Sequence, residues 1–205
     1  MRAKIVHGTP ATGRTLLVCN HLSFLDVPLI GGVFQLNFVS KDSVADWPLI
    51  GPITRLGNTI FISRDPKKAM SEIALVEDAM DGRKIPLCIF PEGTSGDGYK
   101  VLPFKSSIFS MFEHGSGMKL QPMAIAYTHR NGRKLAAEER EVYSWWRKEE
   151  TLLGYFWKLK RHLTGVEMSI SFGETITPAD GADRKKLAAE MHAACEREFI
   201  RLTED

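Results

Sequence analysis

The segment Asn20-His21-Leu22-Ser23-Phe24-Leu25-Asp26 carries a histidine and an aspartate whose types suit proton transfer. A carboxylate bonded to one imidazole nitrogen fixes the tautomer and leaves the other nitrogen ready to take a proton from a hydroxyl. On a regular helix, residues five apart are rotated by about 140° from each other, so His21 and Asp26 can meet only where the segment bends. A strand-to-helix turn supplies that bend. Ser23 lies beside them, but no G-x-S-x-G elbow surrounds it, and its nearness in sequence makes a triad with His21 awkward. A substrate hydroxyl is the simpler nucleophile. The plainer alternative makes Asp26 a helix cap and His21 a satisfied polar residue.

Further candidates follow along the chain. Glu92-Gly93-Thr94, after an apolar run, places a carboxylate and a hydroxyl on a tight loop whose backbone amides can point into a site. Arg64 and Lys105 are fixed cations able to hold an anionic head group, although solvated surface charge is the ordinary role of either. Each signal is weak by itself and gains weight only if all reach one rim.

The elements expected to carry these residues alternate between strand and helix. Thr15-Leu16-Leu17-Val18-Cys19 reads as a buried parallel strand that breaks into polar Asn20 and His21 at its C-terminal end. Ser23 or Asp26 caps a helix containing Val27, Leu29 and Ile30, and a strand follows over residues 36–40. Residues 57–64 read as a short strand ending on Arg64. Asp65-Pro66 starts a helix with Ala69, Met70, Ile73, Val76 and Met80 on one face. A strand over residues 85–90 runs into the Glu92 loop; Ile108, Phe109, Met111 and Phe112 mark a helix, and residues 120–127 another strand. Leu187, Met191, Cys195, Phe199 and Leu202 line one face of a docked C-terminal helix. This alternation implies an α/β fold, a largely parallel central sheet flanked by helices, with its chemistry at the C-terminal strand ends. His21, Arg64 and Glu92 all fall there.

The chain has 205 residues, 43% of them hydrophobic, which suits one core and one active site, so residues 1–205 are expected to form a single domain. A net charge of +2 does not make the dense basic face that nucleic-acid binding demands. The three cysteines, Cys19, Cys88 and Cys195, lack metal-ligand spacing, and a reducing intracellular setting fits them best. No stretch approaches the roughly 18 to 20 apolar residues needed to span a bilayer, so the chain is not expected to cross a membrane unaided.

The blocks in their order resemble the glycerolipid acyltransferase family, which includes the bacterial 1-acylglycerol-3-phosphate acyltransferases. The resemblance covers residues 16–127: Asn20-His21 with Asp26, Gly57 through Ile62 to Arg64, Phe90-Pro91-Glu92-Gly93-Thr94, and Pro122 in an apolar strand. It implies acyl transfer from acyl-CoA or acyl carrier protein to a lysolipid hydroxyl without an acyl-enzyme, a metal or another cofactor. On this pattern His21 is the base and Asp26 its orienter. Arg64 and Lys105 contact the acceptor head group, while Glu92, Gly93 and Thr94 shape its pocket. The resemblance also implies a protein peripheral on the cytoplasmic face of a membrane.

Two departures from the family pattern matter. Ser95 follows Glu-Gly-Thr where many phosphatidate-forming members have Arg, so one phosphate contact is missing. The run from Gly93 to Lys105 also looks like the branch that acylates lyso-ornithine lipid. With Arg64 and Lys105 retained, lysophosphatidic acid is the first expectation for the acceptor and lyso-ornithine lipid the second. Relatives also usually carry a hydrophobic or amphipathic segment before the His/Asp block, and only a short stretch precedes His21 here. Membrane contact is then sought between Tyr143 and Leu163, where Tyr143, Trp145, Trp146, Tyr155, Phe156 and Trp157 mix with Arg147, Lys148, Lys158, Lys160 and Arg161. Either these rings face lipid or they pack inward. Two rival functions remain: a catalytically silent lipid-binding module of the same fold, and a thioesterase with water as acceptor.

Overall fold

A computed structural model describes residues 1–41, 59–62, 74–76, 78, 85–114, 117–144 and 151–204. Among the described residues an eight-stranded mixed sheet runs through the molecule in the order β1-β8-β6-β2-β5-β3-β4, with β7 (Arg133–Lys134) paired to β6. The strands are β1 (Arg2–His7), β2 (Thr15–Cys19), β3 (Asn37–Lys41), β4 (Ile60–Ile62), β5 (Leu87–Ile89), β6 (Lys119–Arg130) and β8 (Val166–Phe172). β6, β2, β5, β3 and β4 are parallel; β8 turns antiparallel to β6 and takes β1 alongside it in parallel.

Alternation along the strands makes two cores, because successive side chains leave a strand on opposite faces. Leu17, Cys19, Cys88, Ile125 and Ile170 pack on one face with Leu22, Ile30, Tyr143 and Tyr155. That face is covered by α1 (Asp26–Gly31) and by α3 (Leu152–Lys160), while the short α2 (Ala137–Arg140) lies between β7 and α3 in the chain. Leu16, Val18, Leu87, Ile89 and Leu120 pack on the other face with Phe109, Phe112, Leu187 and Met191. There the cover is α4 (Arg184–Glu204), whose start is capped by Asp183 Oδ1 accepting from the amides of Lys185 and Lys186. Cys195 and Phe199 continue that seam against Ala124 and Ala126. All three cysteines are free and buried.

The strands expected at residues 15–19, 36–40, 85–90 and 120–127 are present, and so is the C-terminal helix. The segment at Ile108 is a 3-10 helix, Ser106–His114, rather than an α-helix. The expected helix over residues 65–82 lies mostly outside the described residues; its described positions 74–76 and 78 are helical, and Val76 is buried. β1 and β8 were not expected from the residue pattern. Their pairing has a charge signature: Glu167 on β8 meets Arg2 at 2.7 Å and Lys4 at 2.6 Å on β1. Burial alone would raise the Glu167 carboxyl, yet the two cations bring it below its usual range.

Candidate active site

The geometry begins where β2 ends. The ladder between β2 and β6 stops at Cys19 opposite Met123. At the next residue the backbone leaves the sheet and the Asn20 side chain replaces it. Its Oδ1 accepts from the Ile125 amide at 2.8 Å, and its Nδ2 donates to the Ile125 carbonyl at 3.0 Å. A side-chain amide imitates a peptide group, so β6 keeps its partners while the chain is released to turn. His21 rises from that turn.

Asp26 is fully buried at the first position of α1 and closes the turn from the other side. Its Oδ2 lies 2.9 Å from His21 Nδ1 and accepts the amides of Leu22 at 2.7 Å and Ser23 at 3.0 Å. The carboxylate is therefore held by its own turn, and Leu25, the residue before α1, supplies no side-chain cap. The capping alternative for Asp26 is thus set aside: the oxygen reaches back to the histidine and the turn amides instead of forward into the helix. With Nδ1–H donated to Asp26, the remaining ring nitrogen, Nε2, has its lone pair available. The imidazole stacks on Phe90, ring centres 4.4 Å apart, and keeps 23% of its side-chain surface exposed.

Ser23 is buried with its hydroxyl turned away from any nucleophilic role. It accepts from the Leu25 amide at 3.2 Å and makes a long contact of 3.4 Å with the Tyr127 hydroxyl. Burial, and next the charge of Asp26, push the Tyr127 phenol well above its ordinary range, so it stays protonated beneath the turn.

The Glu92 loop arrives beside His21 because β2 and β5 are parallel neighbours, with Val18 opposite Ile89. Past that pair both chains leave their strands on the same side, and Glu92 comes to lie against the His21 backbone. Glu92 points inward: it is 3% exposed, and Oε1 accepts the Leu102 amide at 3.1 Å. Burial raises its carboxyl to about 8, against the opposing pull of the Leu102 and His21 backbone amides. The Gly96 amide also donates to the His21 carbonyl at 2.7 Å, tying the loop to the His21 turn. Gly93 has φ +68°, and a Cβ there would collide with the Lys105 ammonium, so the Lys105 side chain lies directly over the Gly93 backbone. Gly93, Thr94 and Lys105 are exposed, forming an open rim above the buried Glu92.

Of the residues named from sequence, His21 and Asp26 are in direct contact, Glu92 abuts the His21 backbone, and Gly93 sits under Lys105. Arg64 lies outside the described residues. The amides that fix Asp26, the bridge from Asn20 to Ile125 and the Phe90 stack were not assigned roles from sequence. Asn20 and Phe90 did stand inside the quoted motifs, which was the available signal. Among the described residues, no group of three or more His, Cys, Asp or Glu side chains is placed to hold a metal ion, and no helix is long and apolar enough to cross a membrane.

Residues 4–126 match the model of the Acyltransferase family. The lyso-ornithine lipid O-acyltransferase of Rhodobacter capsulatus is 38% identical over 193 residues, covering 92% of this chain and 67% of that protein's length. The 1-acyl-sn-glycerol-3-phosphate acyltransferase of Neisseria gonorrhoeae is 28% identical over 123 residues, 59% of this chain and 47% of the relative. The crystal structure of the 1-acyl-sn-glycerophosphate acyltransferase PlsC from Thermotoga maritima superposes with a TM-score of 0.65 at 18% identity, covering all of this chain and 73% of that one, a likeness of fold. The family match spans both the strand that delivers His21 and the loop that carries Glu92, and with these relatives it makes the chain a member of the glycerolipid acyltransferase family, an enzyme of the acyltransferase class.

Proposed function

We propose that this chain, acting as one acyltransferase domain, moves a fatty acyl group from an acyl thioester to the hydroxyl of a lysolipid at the cytoplasmic surface of a membrane. The observation that carries the reading is the 2.9 Å contact between His21 Nδ1 and the buried, amide-locked Asp26. In this scheme His21 Nε2 takes the acceptor hydroxyl proton as the oxygen attacks the thioester carbonyl. The tetrahedral intermediate then collapses, the carbon–sulfur bond breaks, and the imidazolium returns the proton to the departing thiolate. Asp26 fixes the tautomer and offsets the charge that forms on the ring. Acyl-CoA or acyl carrier protein is the co-substrate, and the chemistry requires no further cofactor. Gly93, Thr94 and Lys105 form the acceptor rim, and Glu92 supports that rim from below; the role of Arg64 as a head-group contact rests on the family pattern alone.

For the acceptor, the relatives move lyso-ornithine lipid ahead of lysophosphatidic acid. The Rhodobacter enzyme named for the former matches 92% of this chain at 38% identity, whereas the Neisseria enzyme named for the latter matches 59% at 28%. Ser95, in place of an arginine, points the same way. The purified protein should be offered both lysolipids with one acyl donor, with ester and free fatty acid measured together. Faster esterification of lyso-ornithine lipid is expected, with His21→Ala lowering turnover by about 10³-fold or more. A preference for lysophosphatidic acid reverses the acceptor, release of fatty acid without ester makes the enzyme a thioesterase, and an unimpaired His21→Ala removes the base.

A further inference from the structure

The sequence left open whether the rings between Tyr143 and Leu163 face lipid or pack inward, and α3 divides them. Tyr155 and Leu159 are buried, one turn apart. Tyr155 donates its hydroxyl to the Tyr143 carbonyl and packs edge-on against Phe24, ring centres 5.8 Å apart. Phe24 belongs to the turn between His21 and Asp26, so the inner face of α3 is bolted to the base turn. The opposite face is open: Leu153 is 64% exposed, Phe156 48% and Trp157 60%. These three, with Lys160, recur at the three-to-four spacing of a single helical stripe. Trp145, Trp146, Arg147 and Lys148 lie outside the described residues.

We infer that the outer face of α3, Leu153, Phe156 and Trp157 flanked by Lys160 and Arg161, docks on an anionic lipid bilayer and so presents the His21 turn to acceptor lipid held there. The inference rests on the proposed function, which makes the acceptor a bilayer lipid. Charge selects the occupant. From Leu152 to Arg161 the chain has Lys158, Lys160 and Arg161 and no carboxylate. Arg130, packed against the helix end, adds another cation through its contacts with His162 and the Arg161 carbonyl. Lys160 Nζ lies 5.2 Å from the centre of the Trp157 ring, an aromatic and cation side by side as a headgroup layer accommodates them. Long basic side chains reach phosphate while their stems and the neighbouring rings enter the acyl boundary. A water-soluble partner explains the apolar stripe but not the basic cluster of Lys158, Lys160 and Arg161 at its C-terminal end.

The test is co-sedimentation of the whole chain with vesicles of phosphatidylcholine containing about a quarter phosphatidylglycerol, alongside pure phosphatidylcholine. The triple variant L153S/F156S/W157S should lose at least about tenfold in vesicle partitioning. Its turnover should fall in step on vesicle-borne acceptor and stay unchanged on acceptor dispersed as monomers. K160E/R161E, at exposed sites where folding is not at stake, should lose binding to the anionic vesicles and little to the neutral ones. Wild-type binding in both variants overturns the inference. So does a wild-type dimer that the triple variant breaks while vesicle binding persists, since the face then joins two copies of the chain. Face-dependent binding without ester from any acceptor supports the docking helix and removes acyl transfer instead.

Discussion

The two halves of the site are built in opposite ways. The turn over residues 20–26 directs its bonds inward: Asn20 is buried against β6, Asp26 accepts two amides of the turn itself, and the His21 ring keeps part of its surface exposed. The loop from Glu92 to Lys105 is anchored at its base and open at its top. Glu92 is buried, while Gly93, Thr94 and Lys105 face solvent. Proton transfer needs a fixed donor and acceptor, because a misplacement of about 1 Å can cost 10²-fold in rate. A rim for a bulky acceptor has to be open. Under the proposed function, orientation falls to the turn and accommodation to the loop.

Asp26→Asn attacks the rigid half most directly. The amide keeps the shape but presents a different hydrogen-bonding pattern to Nδ1, so kcat should fall by roughly 10²- to 10⁴-fold with KM little changed. A large rise in KM instead would place Asp26 in acceptor binding and erase the contrast. Asn20→Ala comes next. It strips the Ile125 amide and carbonyl of their partners in a buried place, costing about 2–4 kcal/mol of stability in urea unfolding. It should also lower kcat by around tenfold through a loosened base. Unchanged kcat in the folded variant would show that the turn does not depend on β6.

The smallest effect on rate concerns the loop, which is read instead from the dependence of stability on pH. The Glu92 carboxyl is raised to about 8 when folded, above the 4.5 that an unburied glutamate has. The folded state therefore holds a proton that the unfolded chain has released, and the Glu92 contribution to stability is fully present below the lower value and lost as pH rises through the higher one. Between these limits wild type should lose up to about 1.4 kcal/mol per pH unit relative to Glu92→Gln, which carries no titrating group. Urea unfolding of both proteins at several values from pH 5 to pH 8 measures this. Parallel pH profiles for the two proteins would mean that Glu92 is ionised in place, and the loop would then be held by a charge.

Much of the scaffold was legible from local pattern. The apolar runs of β2, β5 and β6 and the one-sided stripe of α4 each express a periodicity contained within a few turns or a few strand residues. β8 was harder to recognise because Glu167 and two further polar side chains, Ser169 and Ser171, interrupt its hydrophobic content, and Arg2 and Lys4, far away in sequence, make a buried carboxylate tolerable there. Glu92 was read as a pocket-lining group because a motif records identity and order but not which way a side chain turns; its inward course follows from Leu102 meeting it across the loop.

By itself the sequence determined the contact between His21 and Asp26 and the order of the family blocks. His21 and Asp26 are joined through a turn short enough that the contact and both amide bonds to the carboxylate are local. Tertiary structure alone decided what surrounds them. The Asn20 bridge to Ile125 spans 105 positions, Glu92 comes beside the His21 backbone because β2 and β5 are neighbours, and Tyr155 rather than Trp157 turns inward because Phe24 and the Tyr143 carbonyl are there to receive it. A residue's own pattern predicts its element, but burial and partners depend on what distant segments bring to the same place.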